Sequence, residues 1–426
     1  MKSSLHFLVA ARQHEIVALE QLDNACSLVV SMSGLVHALQ RERGLSNMLL
    51  ASGGVQGDDL LLAQQEQVNA EIAVVRQELE QLGPCQPGGH GARLCNAIAY
   101  SLQGWNALPA LRAQVQTLRM TPDENTRHYI RLISGCLSVV FEAADSANEP
   151  ALSRMLVAMF HFMQGKELTG QERATGTAVF ASGVYDADRQ VHWLHLIESQ
   201  ERNFQVFTDL ATESARSLWQ SQAQDDADMA AMERLRRVAN TAPVGAPLDV
   251  GLSAQWFAIC TRRLDAMFAI EVAMAQELQA LCRHKLDAAR DALQAQQRLL
   301  APDDGMDISA ASEAGMHFFA DAPVPLDWPL EAVCTPPIGR AILLLVQEQS
   351  QRLQTMQAEI QQAKTALHER KTIERAKGIL MQHQQMSEGA AHQFLRQTAM
   401  NQNKRMLEVA DAVLAMVAIL PRGPVL

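Results

Sequence analysis

Two arginines occupy matched places in the first half of the chain. Residues 42–53 begin Glu42-Arg43 and end Ala51-Ser52-Gly53; residues 172–183 begin Glu172-Arg173 and end Ala181-Ser182-Gly183. Seven residues separate the two signatures in each copy, and five of twelve positions are identical. Each copy lies at the C-terminal end of a predicted helix and runs into a glycine stop. That placement predicts two related helices facing each other in a pseudo-symmetric bundle, each presenting one arginine. A guanidinium is planar, permanently charged and a rigid fork of donors, so it needs a partner when buried. A small planar oxyanion suits that fork. A carboxylate at the bundle surface is the alternative, and the default for a lone Glu-Arg. Two arginines at one interhelical site repel each other when empty, so an entering anion would relieve that repulsion and alter helix packing.

A second set of cations lies near the C-terminus: Arg370, Lys371, Arg375, Lys377, Arg396, Lys404 and Arg405. From Gln351 to Leu426 there are ten Lys plus Arg against six Asp plus Glu, a net of +4 in a chain whose total is −11. A polyanion therefore fits the last 76 residues and not the acidic remainder. The plainer reading of such a run is a solvated basic helix face.

The elements that must carry these side chains are helices throughout. Aromatics are only 5% of the chain, and Ala, Leu, Gln, Met and Glu dominate, residues that lose little freedom in a helix. The expected fold class is all-α, with a large helical-bundle sensor over residues 1–301. An irregular Pro-rich connector follows over 302–337. A heptad stripe then runs through Ile342, Val346, Gln349, Leu353, Met356, Ile360, Ala363 and Leu367. It reads as a linker helix over 338–366, either packed on the sensor or forming a parallel coiled coil in a homodimer. Residues 367–426 form a small three-helix domain. In the sensor, one or two helices are expected over residues 4–52, short helices up to about Met120, and one helix over about 189–222. Thr121-Pro122-Asp123-Glu124 reads as an N-cap with Pro at the first helical position.

Seven scattered cysteines without a C-x-x-C read as reduced thiols in a cytoplasmic chain. No signal peptide is visible and no run approaches 18 consecutive apolar residues, so no membrane partner is expected. His192 and His195 lie at i, i+3 without a third ligand, and Cys85, Cys95 and His90 share a Gly-rich loop. Neither group makes a metal site, and no phosphate-binding loop or catalytic signature occurs. No cofactor and no enzymatic activity are expected.

The C-terminal segment closely resembles the ANTAR domain of bacterial transcription antitermination regulators. The resemblance rests on Ile373-x-x-Ala376-Lys377-Gly378-Ile379-Leu380-Met381, on Ser387-Glu388 with Ala391, Leu395 and Arg396, and on Val409-Ala410, over about 60 residues. His392 departs from it, since the family usually has an aromatic ring there. The resemblance implies binding to paired RNA hairpins in a leader transcript, with RNA polymerase affected only indirectly. The chemistry agrees, because hairpins are read through phosphate contacts and through bonding and stacking on splayed bases. A DNA-binding helix-turn-helix is disfavoured by the five-residue Gln-rich turn at 382–386.

The two Glu-Arg segments resemble the nitrate- and nitrite-sensing (NIT) domain that accompanies ANTAR in nitrate-responsive antiterminators. The match is strongest at Leu39-Gln40-Arg41-Glu42-Arg43-Gly44-Leu45-Ser46 and Gly170-Gln171-Glu172-Arg173-Ala174. It implies nitrate or nitrite as ligand, held by arginines. Arg43 and Arg173 carry over directly. Arg236, within Arg234-Leu235-Arg236-Arg237, is a third choice, and Arg41 is a contact from the rim. The expected function is nitrate- or nitrite-responsive antitermination. The rival is an RNA-binding antiterminator gated by another small anion or by a partner protein.

Overall fold

The structure is a computed structural model. It describes residues 4–54, 58–81, 92–147, 149–183, 187–224, 227–243, 246–300, 372–373, 375–380, 386, 388–402 and 404–419. The connector at 302–337, the heptad helix at 338–366, Arg370 and Lys371 lie outside the described residues.

The described chain is helical, as its composition requires. The sensor comprises α1 (Ser4–Ala51), α2 (Asp58–Gln81), α3 (Ala92–Gln116), α4 (Pro122–Ser146), α5 (Pro150–Ser182), α6 (Ala187–Leu210), α7 (Glu213–Gln224), α8 (Ala227–Thr241) and α9 (Leu252–Leu300). The C-terminal domain contributes residues 375–380, α10 (Glu388–Gln402) and α11 (Met406–Ile419).

Helices α1, α4, α5 and α9 form the centre of the sensor, with α2, α3, α6, α7 and α8 packed around them. One core joins Leu28, Met32, Leu35, Leu39, Val139, Leu156, Phe162, Met267 and Cys282. Helix α5 is buried on nearly every side from Leu156 to Arg173. A helix enclosed all round has no polar face, so its polar residues must find partners inside the bundle. By length and composition, Val9–Ala51 is apolar enough to cross a membrane, a property that a search for uninterrupted apolar runs overlooks. In the bundle, 67% of its most apolar window is buried.

The signals at the helix ends are physical. The Thr121 hydroxyl accepts from the Glu124 N–H while the Glu124 carboxylate accepts from the Thr121 N–H, a capping box with Pro122 in the first turn. The two repeated segments end alike, with Gly53 at φ 63° and Gly183 at φ 65°, a left-handed conformation that costs glycine little.

Three expectations change. Residues 92–116 form one continuous helix despite Pro109, rather than several short ones. The helix expected over about 189–222 is broken after Leu210. The Arg154 guanidinium donates to the Asp209 and Leu210 carbonyls, and Arg216 donates to those of Thr208 and Ala211, so side chains satisfy the freed acceptors. Cys26, Cys136, Cys260 and Cys282 are free and buried, whereas Cys95 is disulfide-bonded.

Candidate functional site

Arg43 on α1 and Arg173 on α5 come together between their helices, each lying against a glycine of the other. A Cβ on Gly170 would come within 2.5 Å of Arg43 Nη2, and one on Gly44 within 2.9 Å of Arg173 Nη2. The side chains are 1% and 4% exposed, so neither charge reaches bulk water. The glycines beside the two Glu-Arg pairs let each guanidinium press against the opposite backbone.

The two arginines are not equivalent. Arg43 Nη1 donates to Glu167 Oε1 at 2.6 Å and Nη2 to Oε2 at 3.2 Å. Gln40 and Gln171 donate to the same carboxylate at 2.9 and 3.0 Å. Among the described residues no carboxylate forms an ion pair with Arg173, and Asp265 and Glu167 act on it only at longer range. Its Nη2 donates to the Gln40 carbonyl at 3.1 Å, its Nη1 to Thr261 Oγ1 at 3.0 Å, and it lies 5.0 Å from the Phe257 ring centroid. Burial, and then the charge of Arg43, lower its pKa to about 10.

The arrangement departs from two arginines facing each other across an empty gap. A planar oxyanion already serves Arg43, and it belongs to the protein. Beside it, Lys166 and Glu271 are fully buried with Nζ and Oε2 2.6 Å apart, and the Ser33 hydroxyl donates to the same Oε2 at 2.9 Å. Arg43 pairs with Glu167 and Lys166 with Glu271, which leaves Arg173 without a buried ion-pair partner; Asp265 also acts on it, but that carboxylate is 50% exposed and not in contact with it. That surplus is the size of one monovalent anion.

Behind the arginines the repeat is closer to symmetric. Glu42 accepts two bonds from Arg112 on α3, at 2.7 and 2.9 Å. Glu172 accepts two from Arg236 on α8, at 2.7 and 2.6 Å, with further donors from Trp193 Nε1 and Gln200. Burial alone would raise the Glu172 carboxyl, but the charge and bonds of Arg236 hold it below its ordinary value. Arg236 therefore has a carboxylate of its own and is not joined to Arg43 and Arg173. Arg41 is exposed at the rim.

The sequence did not single out Glu167, Gln40, Thr261, Phe257 or Arg112. A signal existed for the first of these. Glu167 precedes Arg173 by the same interval as His37 precedes Arg43. One arginine of the pair thus finds a carboxylate where the other copy has an imidazole. His37 is 8% exposed and stacks on Phe268 of α9, with centroids 3.9 Å apart and planes at 3°.

In the C-terminal domain Ala376, Leu380, Ala391, Leu395, Ala399, Val409 and Ala410 form a small core. Arg375, Arg396, Lys404 and Arg405 are exposed around it. Lys377 is 5% exposed, so in this conformation it does not share their open surface. Helix α10 also touches α6 of the sensor. Arg396 Nη1 lies 2.7 Å from Glu198 Oε1, and the His392 and His195 rings are 4.5 Å apart. The histidine that replaces the usual aromatic ring packs on another histidine.

Comparison with known proteins agrees with this architecture. The nitrate and nitrite sensing (NIT) family model matches residues 34–279, and the ANTAR domain model matches residues 361–414. The chain is 33% identical over 414 residues to the nitrate regulatory protein of Klebsiella oxytoca, covering 96% of this chain and 94% of that protein. It is similar to the solved structure of the NasR transcription antiterminator, with TM-score 0.59 and 31% identity over 96% of this chain and 98% of that one. The chain belongs to the nitrate- and nitrite-sensing family and ends in an ANTAR domain, the make-up of a NasR-like transcription antiterminator and not of an enzyme.

Proposed function

We propose that a single nitrate or nitrite ion enters between α1 and α5, takes Arg173 as its primary partner and competes with Glu167 for Arg43. The unmatched buried charge of Arg173 carries this reading. A monoanion there neutralises the cluster, whereas a dianion would overshoot. Two guanidinium forks suit a flat trioxygen or dioxygen ion. Arg236 holds Glu172 and so keeps the neighbouring Arg173 in place, and Arg41 lies at the entrance.

Release of Glu167 from Arg43 changes how α1 and α5 pack. For that change to matter, the two packings must bind the anion with different affinity. The output is the RNA-binding surface of the ANTAR domain, where Arg375, Arg396, Lys404 and Arg405, joined by Arg370, Lys371 and Lys377, meet hairpin RNA in a nascent leader transcript. Glu198 engages Arg396 in this conformation, which favours unmasking of that surface over a pure dimer rearrangement. The protein acts in the cytoplasm as a homodimer and influences RNA polymerase only through the RNA it holds.

The test is a nitrate titration of hairpin-RNA binding by the full chain. Nitrate should strengthen RNA binding in the wild type and leave Arg173→Ala unchanged. RNA binding indifferent to nitrate overturns the gating. In the rival reading a different small anion fills the site, and equal calorimetric affinity for acetate and nitrate would favour it.

A further inference from the structure

The same cluster holds a buried group that the charge pairing leaves unused, the imidazole of His37. It lies on the face of α1 that meets Arg173: His37, Gln40 and Gly44 follow at i, i+3 and i+7, and Arg173 lies against the last two. The ring is clamped against Phe268, whose centroid is also 4.8 Å from Lys166 Nζ. Nε2 faces Asp265 of α9 at 3.9 Å from Oδ1, and Nδ1 is buried without a hydrogen-bond partner. An orphaned buried nitrogen is costly to leave unpaired.

The charged groups that act on the ring are Lys166 and Arg173 from α5, Arg41 from α1 and Asp265 from α9. From α2, Gln64 meets α1 next door, donating to the Ala38 carbonyl. Burial first, then Lys166, Arg41 and Arg173, lower the His37 pKa to about 2, so the ring is neutral in this conformation. Asp265, which faces the ring, is 50% exposed, and the carboxylates further along the same face lie elsewhere: Glu271 of α9 pairs with Lys166, and Glu71 of α2 lies beside Gly34, one turn before His37.

We infer that His37 is a third anchor for the anion: as the ion settles against Arg173, Nδ1 takes up a proton and donates it as a hydrogen bond to an oxygen of the ion. This rests on the anion site proposed above. A negative charge placed among Lys166, Arg41 and Arg173 offsets their repulsion of an imidazolium, and a hydrogen bond from Nδ1 to the ion offsets part of the cost of charging a buried ring. The site then binds an anion together with a proton, with no bond broken and no redox change. The device selects a ligand that remains an anion at neutral pH and offers several oxygens, one for each donor. It also makes the sensor more responsive in a mildly acidic cell.

The sign follows from linkage. The empty site holds His37 neutral and the filled site holds it protonated, so protons and anion favour each other. Between the His37 pKa of the empty site and that of the filled site, affinity should fall by up to about tenfold per pH unit as pH rises, the limit for one linked proton, and it should level off above the filled-site pKa. Nitrate alone is the probe, titrated calorimetrically into the full chain between pH 5.5 and 8.5, in two buffers of different ionisation enthalpy. The expected result is uptake of a fraction of a proton up to one proton per nitrate, together with a 15N ring-nitrogen shift of one histidine to the imidazolium range. His37→Asn keeps a neutral donor and should bind nitrate with no pH dependence and no proton uptake. Wild-type binding without proton uptake overturns the inference and spares the anion site. Undiminished uptake in His37→Asn also overturns it, since another group then carries the proton. No nitrate binding at any pH removes the site and this inference together. The two-buffer measurement and the ring shift need no variant, so a misfolded His37→Asn leaves the test intact.

Discussion

Arg43 meets Glu167 at 2.6 Å, while Arg173, its counterpart in the second copy of the motif, donates to the Gln40 carbonyl and the Thr261 hydroxyl and pairs with no carboxylate among the described residues. Two arginines at the same place in a repeated motif thus have opposite electrostatic situations. One belongs to a closed ion pair, and the other is a buried cation short of an anion.

This asymmetry separates the two arginines by stability. Arg43→Met strands the Glu167 carboxylate in the bundle and should destabilise the sensor by about 3–5 kcal/mol, as removal of one partner of a buried pair does. Arg173→Met removes an unmatched buried charge and should leave stability within about 1 kcal/mol of the wild type or raise it. Both variants should lose the nitrate response. Urea denaturation, with nitrate binding followed in parallel, checks this. Equal destabilisation by the two variants would contradict the charge assignment.

Arg236 and Glu172 make a pH prediction. The folded-state pKa of Glu172 is lowered, below an ordinary value of 4.5. Its stabilising contribution is therefore fully present above about pH 4.5 and is lost as pH falls through the lowered value. In Arg236→Met the carboxylate is buried without its counter-ion, its pKa rises above 4.5, and the sign reverses: stability declines as pH rises from 4.5 toward neutrality. Melting temperatures across pH 3–8 distinguish the two profiles, and parallel profiles would place the acid sensitivity elsewhere.

Gly170→Ala tests the close approach. The added methyl would come within 2.5 Å of Arg43 Nη2, a buried nitrogen that donates to Glu167 and would have to shift. The variant should shift the α1–α5 packing, cost on the order of 1–3 kcal/mol as overpacked cores do, and weaken nitrate binding. An alanine tolerated in both respects would show that the helices stand further apart than described.

Glu198→Lys addresses the contact between sensor and ANTAR domain. The Arg396–Glu198 pair is about half exposed, so solvent screening limits its strength to roughly 0–1 kcal/mol. Replacing attraction by repulsion should raise nitrate-independent RNA affinity a few-fold, most visibly at low salt. Gel-shift titration with hairpin RNA at two salt concentrations measures it. Unchanged basal affinity would argue that Glu198 does not restrain the RNA-binding face.

Patterns repeated along the chain were legible without coordinates. The all-helical class followed from residue types, the α4 N-cap with its Pro from Thr121-Pro122-Asp123-Glu124, and the paired arginines from two copies of one motif ending at Gly53 and Gly183. These are local properties, fixed within a few turns of one helix. The break after Leu210 was not legible, because the arginine that satisfies the Asp209 and Leu210 carbonyls comes from position 154.

Charge balance needed the tertiary structure. No spacing rule places Glu167 on Arg43, Thr261 on Arg173 or Arg236 on Glu172, since each pair joins different helices. The sequence specified which cations were unusual. Only the packing of α1, α5, α8 and α9 decided which of them already had an anion, because a buried charge is settled by whatever lies within a few ångströms of it and not by its neighbours in the chain.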